Sequence, residues 1–516
     1  MLLGGRLVKL KELCDAAGIF CPNAASQTEI SAVVTHTREA VPGCMFVCIR
    51  GLHTDSHLLL SEAVAGGATC VLTEEGTDFE ILPNVIYLTA PSTRRALSML
   101  YHAWYGYPTK KLKIIGVTGT NGKTSITHML RAILEASLYR CGIIGTVGCE
   151  SAGRCLESKH RQKNANMTTP DPEDLYRILS EMVRDGVEYV LMEVTSHALA
   201  LGKLEPIQFE ASIFTNLTPD HLDFHKTMDA YAQAKAILFT KSKISLINLD
   251  SPYAGRMIFG AAGIVKTTSS HGKTADYMAE GIEMREEKGV AYRLHSPKAT
   301  LRVQCPLPGA FTVSNSLQAA ACALELGIPA SYVKDALGNM AGVNGRMERI
   351  KLGLGADFSL FIDYAHTPDA LENLLRTARE FKREGGRVIV LFGCGGDRDT
   401  QKRPLMGRIA SQLADFVILT SDNSRSEDPY RIIEQILSGI DPQTPHVVIP
   451  QRADAIEYAV ARAQRNDLIL LAGKGHEEYE ITREGRRPFS ERRIATEAFE
   501  KRMKLKKQTD PTENEI

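Results

Sequence analysis

The chain lacks several features that would mark a membrane protein or a nucleic-acid-binding protein. Its 61 basic and 61 acidic residues cancel, so it has no excess of positive charge to attract nucleic acid or an anionic membrane. No apolar run approaches the roughly 20 residues that span a bilayer. The sequence therefore predicts a cytoplasmic protein with no nucleic-acid partner and no membrane insertion.

Cysteine frameworks are missing as well. The 11 cysteines are odd in number and scattered, and Cys44 and Cys48 have no second pair with which to build a zinc site. We expect buried thiols. At 516 residues the chain is too long for one core, and its 44% hydrophobic and 24% charged content is ordinary for a soluble globular protein. These bounds favour a multidomain enzyme.

One stretch, residues 115–125, stands out from this background. An apolar run before it predicts a strand, and apolar periodicity after Lys123 predicts a helix. Gly119 and Gly122 would let backbone N–H groups face phosphate oxygens at the helix start. Lys123 would reach the β and γ phosphates, and Thr124 would supply a hydroxyl for Mg²⁺. The first glycine departs by one position from the usual pattern, which leaves a plain glycine-rich turn as the alternative, but the flanking elements favour nucleotide binding.

Two more residues follow predicted strands of the same section. Glu193 ends a strand that begins at Tyr189, and His221 comes soon after a strand at 211–217. Ligands of open α/β sheets gather beyond the carboxyl ends of strands, so both side chains could meet the nucleotide and its metal. The alternative is that each is an ordinary satisfied polar residue.

Lys235 lies in a predicted helix that is apolar nearly all round. Burying an ammonium there is costly unless it is paired or modified. From the sequence alone, a snorkelling lysine is the favoured interpretation.

The two ends of the chain are less informative. In the first 106 residues, His36, Arg38, Asp55 and His57 cluster near predicted turns, and composition favours solvated loops over a ligand surface. Beyond residue 344, four predicted strands are followed by polar or glycine-rich segments at 363–366, 393–399, 421–425 and 472–477. These predict a substrate-sized site on a Rossmann-like sheet; G-x-G-x-x-G is absent, which disfavours NAD. We expect the polar tail from Lys501 to be frayed.

Seven blocks together resemble the Mur ligase family over nearly the whole chain. They lie at residues 119–124, 168–171, 192–197, 215–223, 363–368, 395–399 and 473–477. The resemblance implies an α/β protein of three domains. These are a UDP-binding domain at 1–106, a central ATP-binding phosphate-loop domain with a mostly parallel sheet at 107–343, and a Rossmann-like amino-acid-binding domain at 344–516.

The resemblance also implies an activity. A monomer using ATP and Mg²⁺ would add meso-diaminopimelate to UDP-N-acetylmuramoyl-L-Ala-D-Glu through an acyl phosphate, in the synthesis of peptidoglycan precursors. The alternatives are the same ligation with L-lysine, a folylpolyglutamate-type ligase, or a nucleotide-driven switch that makes no product.

The site residues implied by the resemblance fall into four sets. For ATP they are Gly119, Thr120, Asn121, Gly122, Lys123, Thr124, Asn315, Arg346, Asp363 and His366. For the metal they are Thr124, Glu193, His221 and a carbamylated Lys235; Lys123, Lys235 and His221 are also the catalytic set. For the muramoyl-dipeptide they are Thr168, Thr169, Thr195, Ser196 and Lys203. For diaminopimelate they are Arg398, Asp422, Asn423, Arg425, Gly473 and Glu477.

Three positions depart from the family pattern. Lys203 replaces an arginine, which keeps the charge but loses the bidentate fork, and Thr195 replaces a serine. Ser424 replaces a proline beside Arg425. Arg425 would fork onto the distal carboxylate that diaminopimelate has and lysine lacks, and Glu477 would take the distal ammonium.

Overall fold

The computed structural model describes residues 6–51, 54–157, 167–285 and 289–509. Within these ranges three sheets rich in parallel pairs follow one another along the chain, with helices packed between and around them. The predicted α/β fold is confirmed. None of the helices in the described ranges is both long enough and apolar enough to cross a membrane.

The first region has a parallel four-stranded sheet in the order β3-β4-β5-β6 and a small antiparallel pair, β1-β2. Its strands are β1 Val8–Lys9, β2 Glu29–Ile30, β3 Val33–Val34, β4 Cys44–Val47, β5 Ala68–Glu74 and β6 Ile86–Ala90. Its helices are α1 Leu10–Ala17, α2 Leu60–Ala65 and α3 Thr93–Trp104.

The second region contains an eleven-stranded sheet. Its strands are β7 Lys113–Thr118, β8 Cys141–Gly145, β9 Gly148–Ser151, β10 Arg154–Leu156, β11 Tyr189–Glu193, β12 Phe209–Phe214, β13 Ser242–Asn248, β14 Ile264–Ser269, β15 Tyr277–Arg285, β16 Gly289–His295 and β17 Thr300–Cys305. Its helices are α4 Lys123–Ala136, α5 Pro172–Arg184, α6 Ser196–Ala200, α7 Leu222–His225, α8 Met228–Ala236, α9 Ala254–Gly260, α10 Ala310–Glu325 and α11 Ala330–Gly338.

The strand order of this sheet places the predicted nucleotide residues at one edge. The order is β10-β9-β8-β11-β7-β12-β13-β14-β15-β16-β17, parallel from β8 to β15 and antiparallel at both ends. The phosphate-loop strand β7 therefore lies between β11 and β12. Glu193 pairs with Val117 and Phe214 pairs with Thr118, so the three strands end side by side.

The third region has a six-stranded sheet in the order β18-β19-β23-β20-β21-β22, with a separate hairpin, β24-β25. Its strands are β18 Glu348–Arg349, β19 Ser359–Asp363, β20 Val388–Phe392, β21 Phe416–Leu419, β22 His446–Val448, β23 Leu468–Ala472, β24 Tyr479–Thr482 and β25 Gly485–Pro488. Its helices are α12 Pro368–Glu380, α13 Lys402–Leu413, α14 Pro429–Leu437, α15 Arg452–Arg462 and α16 Glu491–Thr509.

The buried hydrophobic clusters do not coincide with the three regions. One buried cluster joins Leu10 and Leu100 of the first region to Leu179 of the second, whereas the third region has clusters of its own. The domain limits at 106 and 343 stay a prediction.

The prediction of a frayed tail from Lys501 is wrong up to Thr509, where α16 ends. Ala498 and Phe499 of this helix are buried with Val460 of α15, and this packing stabilises a helix whose sequence is otherwise polar. Residues 510–516 lie outside the described ranges.

Candidate active site

The loop between β7 and α4 has the backbone that the glycine spacing predicts. Gly119 has a φ of +149° and Gly122 a φ of +89°, both in the left-handed half of conformational space. A Cβ on Gly119 would lie 1.8 Å from Oγ1 of Thr215, and one on Gly122 would lie 2.6 Å from Oδ1 of Asn315. A side chain at either position would be strained, and the first N–H groups of α4 are left for a ligand.

Lys123, the first residue of α4, curls back over this loop. Its Nζ donates to the carbonyl oxygens of Gly119 at 3.0 Å and Thr120 at 2.9 Å. The Thr120 hydroxyl in turn donates to the Thr218 carbonyl at 3.1 Å. Burial lowers the pKa of Lys123. A phosphate oxygen is a stronger partner for an ammonium than a carbonyl, so Lys123 is placed to turn to a nucleotide.

The third region reaches this loop through two hydrogen bonds. Arg346 donates to the Thr124 hydroxyl at 2.9 Å, and the guanidinium lies 4.7 Å from the Tyr364 ring centroid. Asn121 donates to Asp369 at 2.5 Å. Residues more than 200 positions apart therefore form one wall around the loop.

Asp363 and His366 stand at the end of β19 on the same wall. The Asp363 carboxylate accepts from the Met347 N–H at 2.6 Å, and burial raises its pKa. Nδ1 of His366 lies 2.8 Å from the Tyr364 carbonyl oxygen. Burial, followed by the nearby charge of Lys402, lowers the pKa of His366 to about 4, so its imidazole is neutral at pH 7.

Glu193 and His221 are both present at this edge of the sheet. The two Glu193 carboxylate oxygens accept from the Thr146 N–H at 2.9 Å and its hydroxyl at 2.8 Å. His221 has a φ of +54°, and burial lowers its pKa to about 4, opposed by Asp220. Its imidazole is therefore neutral at pH 7 and can offer a lone pair to a metal.

Lys235 is 2% exposed, so the interpretation of a snorkelling lysine is wrong. Its Nζ donates to the Gly119 carbonyl at 3.0 Å, lies 3.5 Å from Oγ1 of Thr118 and sits 4.6 Å from the Tyr231 ring centroid. Burial, followed by the charge of Lys123, holds its pKa well below the usual range. A neutral amine at this position can act as a nucleophile.

The side chains predicted for the metal fit Mg²⁺ on the condition that Lys235 is carbamylated. Among the described residues, no three or more His, Cys, Asp and Glu side chains group closely enough to hold a metal. Thr124 and Glu193 would give oxygen ligands and His221 a neutral nitrogen, and Mg²⁺ prefers oxygen. A carbamate on Lys235 would supply the second carboxylate-like group.

A chain of threonine hydroxyls continues from Glu193. Thr168 lies 3.2 Å from the Thr146 hydroxyl, and Thr169 lies 3.2 Å from the Thr195 hydroxyl. Thr169 also donates to the Glu193 carbonyl at 2.9 Å. Three of the five residues predicted for the dipeptide therefore adjoin the predicted metal position.

The other two lie at the first residue of α6 and just beyond its end. Oγ of Ser196 is 2.8 Å from Nε2 of His225. Nζ of Lys203 is 2.7 Å from Asp171.

Lys203 also lines a cavity of ≈ 680 Å³ between the first and second regions. Sequence reasoning missed most of this cavity, because its lining comes from distant segments. Its polar lining includes Thr35, His36, Thr37, Arg38, Arg94, Asp171, Glu173 and Lys203.

The N-terminal polar cluster divides into two parts. His36 and Arg38 line the cavity, which favours a ligand surface over solvated loops. Asp55 and His57 pair with each other instead: Oδ1 of Asp55 lies 2.5 Å from Nδ1 of His57. Nε2 of the buried His57 accepts from the Glu74 N–H at 3.1 Å, which ties this loop to β5. Asp55 and His57 thus have a structural role.

The residues predicted for the amino acid come together beyond β21 and β23. Asn423 donates to Oε2 of Glu477 at 2.7 Å. A Cβ on Gly473, where φ is +114°, would lie 2.7 Å from Oδ2 of Asp422. Burial, followed by the charge of Asp422, raises the pKa of Glu477.

Arg425 is braced by the neighbouring loop. It has a φ of +52°, and its guanidinium donates to the Gly396 carbonyl at 2.8 Å and the Asn423 carbonyl at 3.3 Å. Burial, followed by the charge of Arg398, lowers its pKa. A carboxylate bound between these two guanidinium groups would relieve their repulsion.

The fold and site together define a phosphate-loop α/β protein with a separate polar pocket on a second, Rossmann-like sheet. The pattern of the Mur ligase middle domain matches residues 117–323, and that of the Mur ligase glutamate ligase domain matches residues 345–475. The chain belongs to the Mur ligase family, as predicted.

Individual relatives are similar to this protein over most of its length. The UDP-N-acetylmuramoyl-L-alanyl-D-glutamate–2,6-diaminopimelate ligase of Caldanaerobacter subterraneus is 43% identical over 471 residues, 91% of this chain and 94% of that protein. A solved structure of a ligase with the same name is 30% identical, with a TM-score of 0.66 over 96% of this chain and 100% of that one. MurF ligase from Thermotoga maritima in complex with ADP shares the fold at 15% identity, with a TM-score of 0.60 over 92% and 98% of the two chains.

Proposed function

We propose that this protein is an ATP-dependent ligase that adds meso-diaminopimelate to UDP-N-acetylmuramoyl-L-Ala-D-Glu in the synthesis of peptidoglycan precursors. The observation that carries the proposal is the pocket beyond β21 and β23. There Asn423 donates to the Glu477 carboxylate at 2.7 Å and accepts at its carbonyl from Arg425 at 3.3 Å, so an acidic and a basic side chain are held by the same residue. An amino acid with a distal carboxylate and a distal ammonium complements both side chains, and the 43% identical relative bears the corresponding name.

The reaction begins at the phosphate loop. The carboxylate of the D-Glu residue attacks the γ-phosphorus of ATP, the bond to the β-phosphate oxygen breaks, and ADP leaves an acyl phosphate behind. Lys123 stabilises the charge on the transferring group, and the N–H groups at the start of α4 orient the phosphates. Thr124, Glu193, His221 and a carbamylated Lys235 would hold Mg²⁺, which supplies charge neutralisation when bound.

The second half joins the two substrates. The amine of the amino acid attacks the acyl carbon, gives up a proton, and phosphate leaves from the tetrahedral intermediate. The hydroxyls of Thr168, Thr169 and Thr195 would hold the dipeptide between the phosphate loop and the amino-acid pocket. The cavity beside Lys203 is large enough for the nucleotide-sugar end of that substrate.

The test is release of phosphate from ATP with UDP-muramoyl-dipeptide and a panel of amino acids. We expect kcat/KM for meso-diaminopimelate to exceed that for L-lysine by at least about 10³, because a polar pocket rejects an analogue that leaves its groups unpaired. Glutamylated folate should not be a substrate. Phosphate release that does not depend on the amino acid would favour a nucleotide-driven switch. Equal use of L-lysine would overturn the assignment of meso-diaminopimelate as the substrate.

Two variants, Arg425→Ala and Arg425→Lys, test whether Arg425 sets the preference for meso-diaminopimelate. The first should lose most of the preference for meso-diaminopimelate over L-lysine. The second keeps the charge but not the fork, so it should recover only part of that preference. If both variants keep the full preference, another residue reads the distal carboxylate.

A further inference from the structure

Lys474 lies behind the residues predicted for the amino acid, and none of its surface is exposed. Its Nζ donates to Oδ1 of Asn423 at 3.0 Å and to the Tyr479 carbonyl at 3.0 Å. It also lies 3.5 Å from Oδ1 of Asp422 and 3.9 Å from Oε2 of Glu477. A fully buried cation between two carboxylates is the arrangement that offsets the cost of burying all three charges.

These contacts fix the orientation of the Asn423 amide. Oδ1 of Asn423 accepts from Lys474 and also from the Ile481 N–H at 2.9 Å, and only an oxygen can accept from both. The amide nitrogen must then point the other way, where it donates to Glu477 at 2.7 Å. The Ile481 bond comes from β24, so Lys474 and the hairpin hold the oxygen of the Asn423 amide while its nitrogen is directed to Glu477.

The same cation offsets part of the repulsion that Asp422 exerts on Glu477. Asp422, Lys474 and Arg425 all act on this carboxylate, and Tyr364 and Tyr479 lie near it. Asp422 raises the pKa of Glu477, whereas Lys474 lowers it. Without Lys474 two neighbouring buried carboxylates would repel each other, and Glu477 would hold its proton to a higher pH.

We propose that Lys474 is a positioning residue for amino-acid recognition: it does not touch the amino acid, but it orients Asn423 and places a positive charge beside Glu477, the carboxylate that would take the incoming ammonium. This inference rests on the proposed function for the identity of the amino acid. It predicts a loss confined to that substrate, since the polar contacts of Lys474 within the described residues are with Asp422, Asn423, Glu477 and Tyr479, and none is with the phosphate loop or with the threonines assigned to the dipeptide.

The experiment is steady-state kinetics of the full-length enzyme carrying Lys474→Met, which keeps the length of the side chain and removes its charge. At pH 7 we expect KM for meso-diaminopimelate to rise about 10-fold to 100-fold, the range for losing a hydrogen bond to a charged group. KM for ATP and for the UDP-dipeptide should stay within about 2-fold. As the pH is raised, KM for meso-diaminopimelate should fall in the variant more than in the unmutated enzyme, because loss of the Lys474 charge moves the ionisation of Glu477 to higher pH.

Two further variants make the result decisive. Lys241→Met removes a partly buried lysine that pairs with Glu205 at 3.6 Å, away from the pocket, and should leave all three KM values unchanged. Lys474→Gln can still donate to Asn423 but carries no charge. Its KM for the amino acid should therefore rise less than in Lys474→Met but show the same dependence on pH. Lys474→Gln also replaces Lys474→Met in the test if that variant does not fold.

An unchanged KM for the amino acid, or an equal rise in all three constants, would overturn the positioning role. The proposed function fails separately, if the unmutated enzyme does not use meso-diaminopimelate. In that case KM is measured for whichever amino acid it does use.

Discussion

Lys235 and Lys474 are both almost fully buried, and the difference between their surroundings distinguishes a reactive role from a structural one. Lys235 lies against a carbonyl oxygen, a hydroxyl and a tyrosine ring, and the charge of Lys123 makes its own charge more costly. Lys474 lies between Asp422 and Glu477. The first environment favours a neutral amine available for modification, whereas the second pairs the lysine with two carboxylates and lets it hold other groups in place.

The largest expected effect comes from removing Lys123, the cation that acts on Lys235. Lys123→Ala should lower kcat by about 10² to 10³, because contacts made mainly to the transition state are worth on the order of 3–4 kcal/mol. Turnover by phosphate release measures this, with the circular dichroism spectrum as the control for folding. More than about a tenth of the normal turnover would contradict the role of Lys123, since a tenfold change corresponds to only about 1.4 kcal/mol.

A large effect is also expected at Lys235 itself. Lys235→Ala should lose at least about 10² in kcat, and added formate or acetate should restore part of it by filling the vacated space with a carboxylate near the metal ligands. The matched control is Lys474→Ala, which these small acids should not rescue, because the missing group there is a cation. Absence of rescue at Lys235, together with no carbamate signal in ¹³C NMR with labelled bicarbonate, would count against carbamylation.

The two lysines also show what sequence could and could not predict. The phosphate loop was predictable because its glycines, lysine and flanking elements are local, and Glu193 and His221 followed from strand ends. The burial of Lys235 was not predictable, because the sequence of an apolar helix does not show whether the neighbouring elements leave its lysine a path to solvent. Contacts such as Arg346 to Thr124, or the cavity beside Lys203, depend on segments brought together from distant parts of the chain. The resemblance named the residues of the amino-acid pocket, but not the part that Lys474 plays among them.

The smallest expected effect concerns the loop held by Lys474, where Ser424 replaces the proline of the family pattern. Ser424 is buried, and among the described residues its N–H donates no hydrogen bond. The loop is already pinned, since the Gly396 N–H donates to the Asn423 carbonyl at 2.9 Å. A proline should therefore fit without the loss of a contact.

Ser424→Pro should stabilise the protein by roughly 0.4–1 kcal/mol, because proline restricts the unfolded chain. That corresponds to a rise in Tm of roughly 1–4 °C for a unit the size of the third region, measured by thermal unfolding. Ser424→Ala is the control, since it removes the hydroxyl without restricting φ and should not raise Tm. The preference for meso-diaminopimelate should be unchanged in both variants. A lower Tm in Ser424→Pro, or a weakened preference, would mean that the loop around Lys474 needs a conformation that proline cannot adopt, and that the serine is a functional departure from the family pattern.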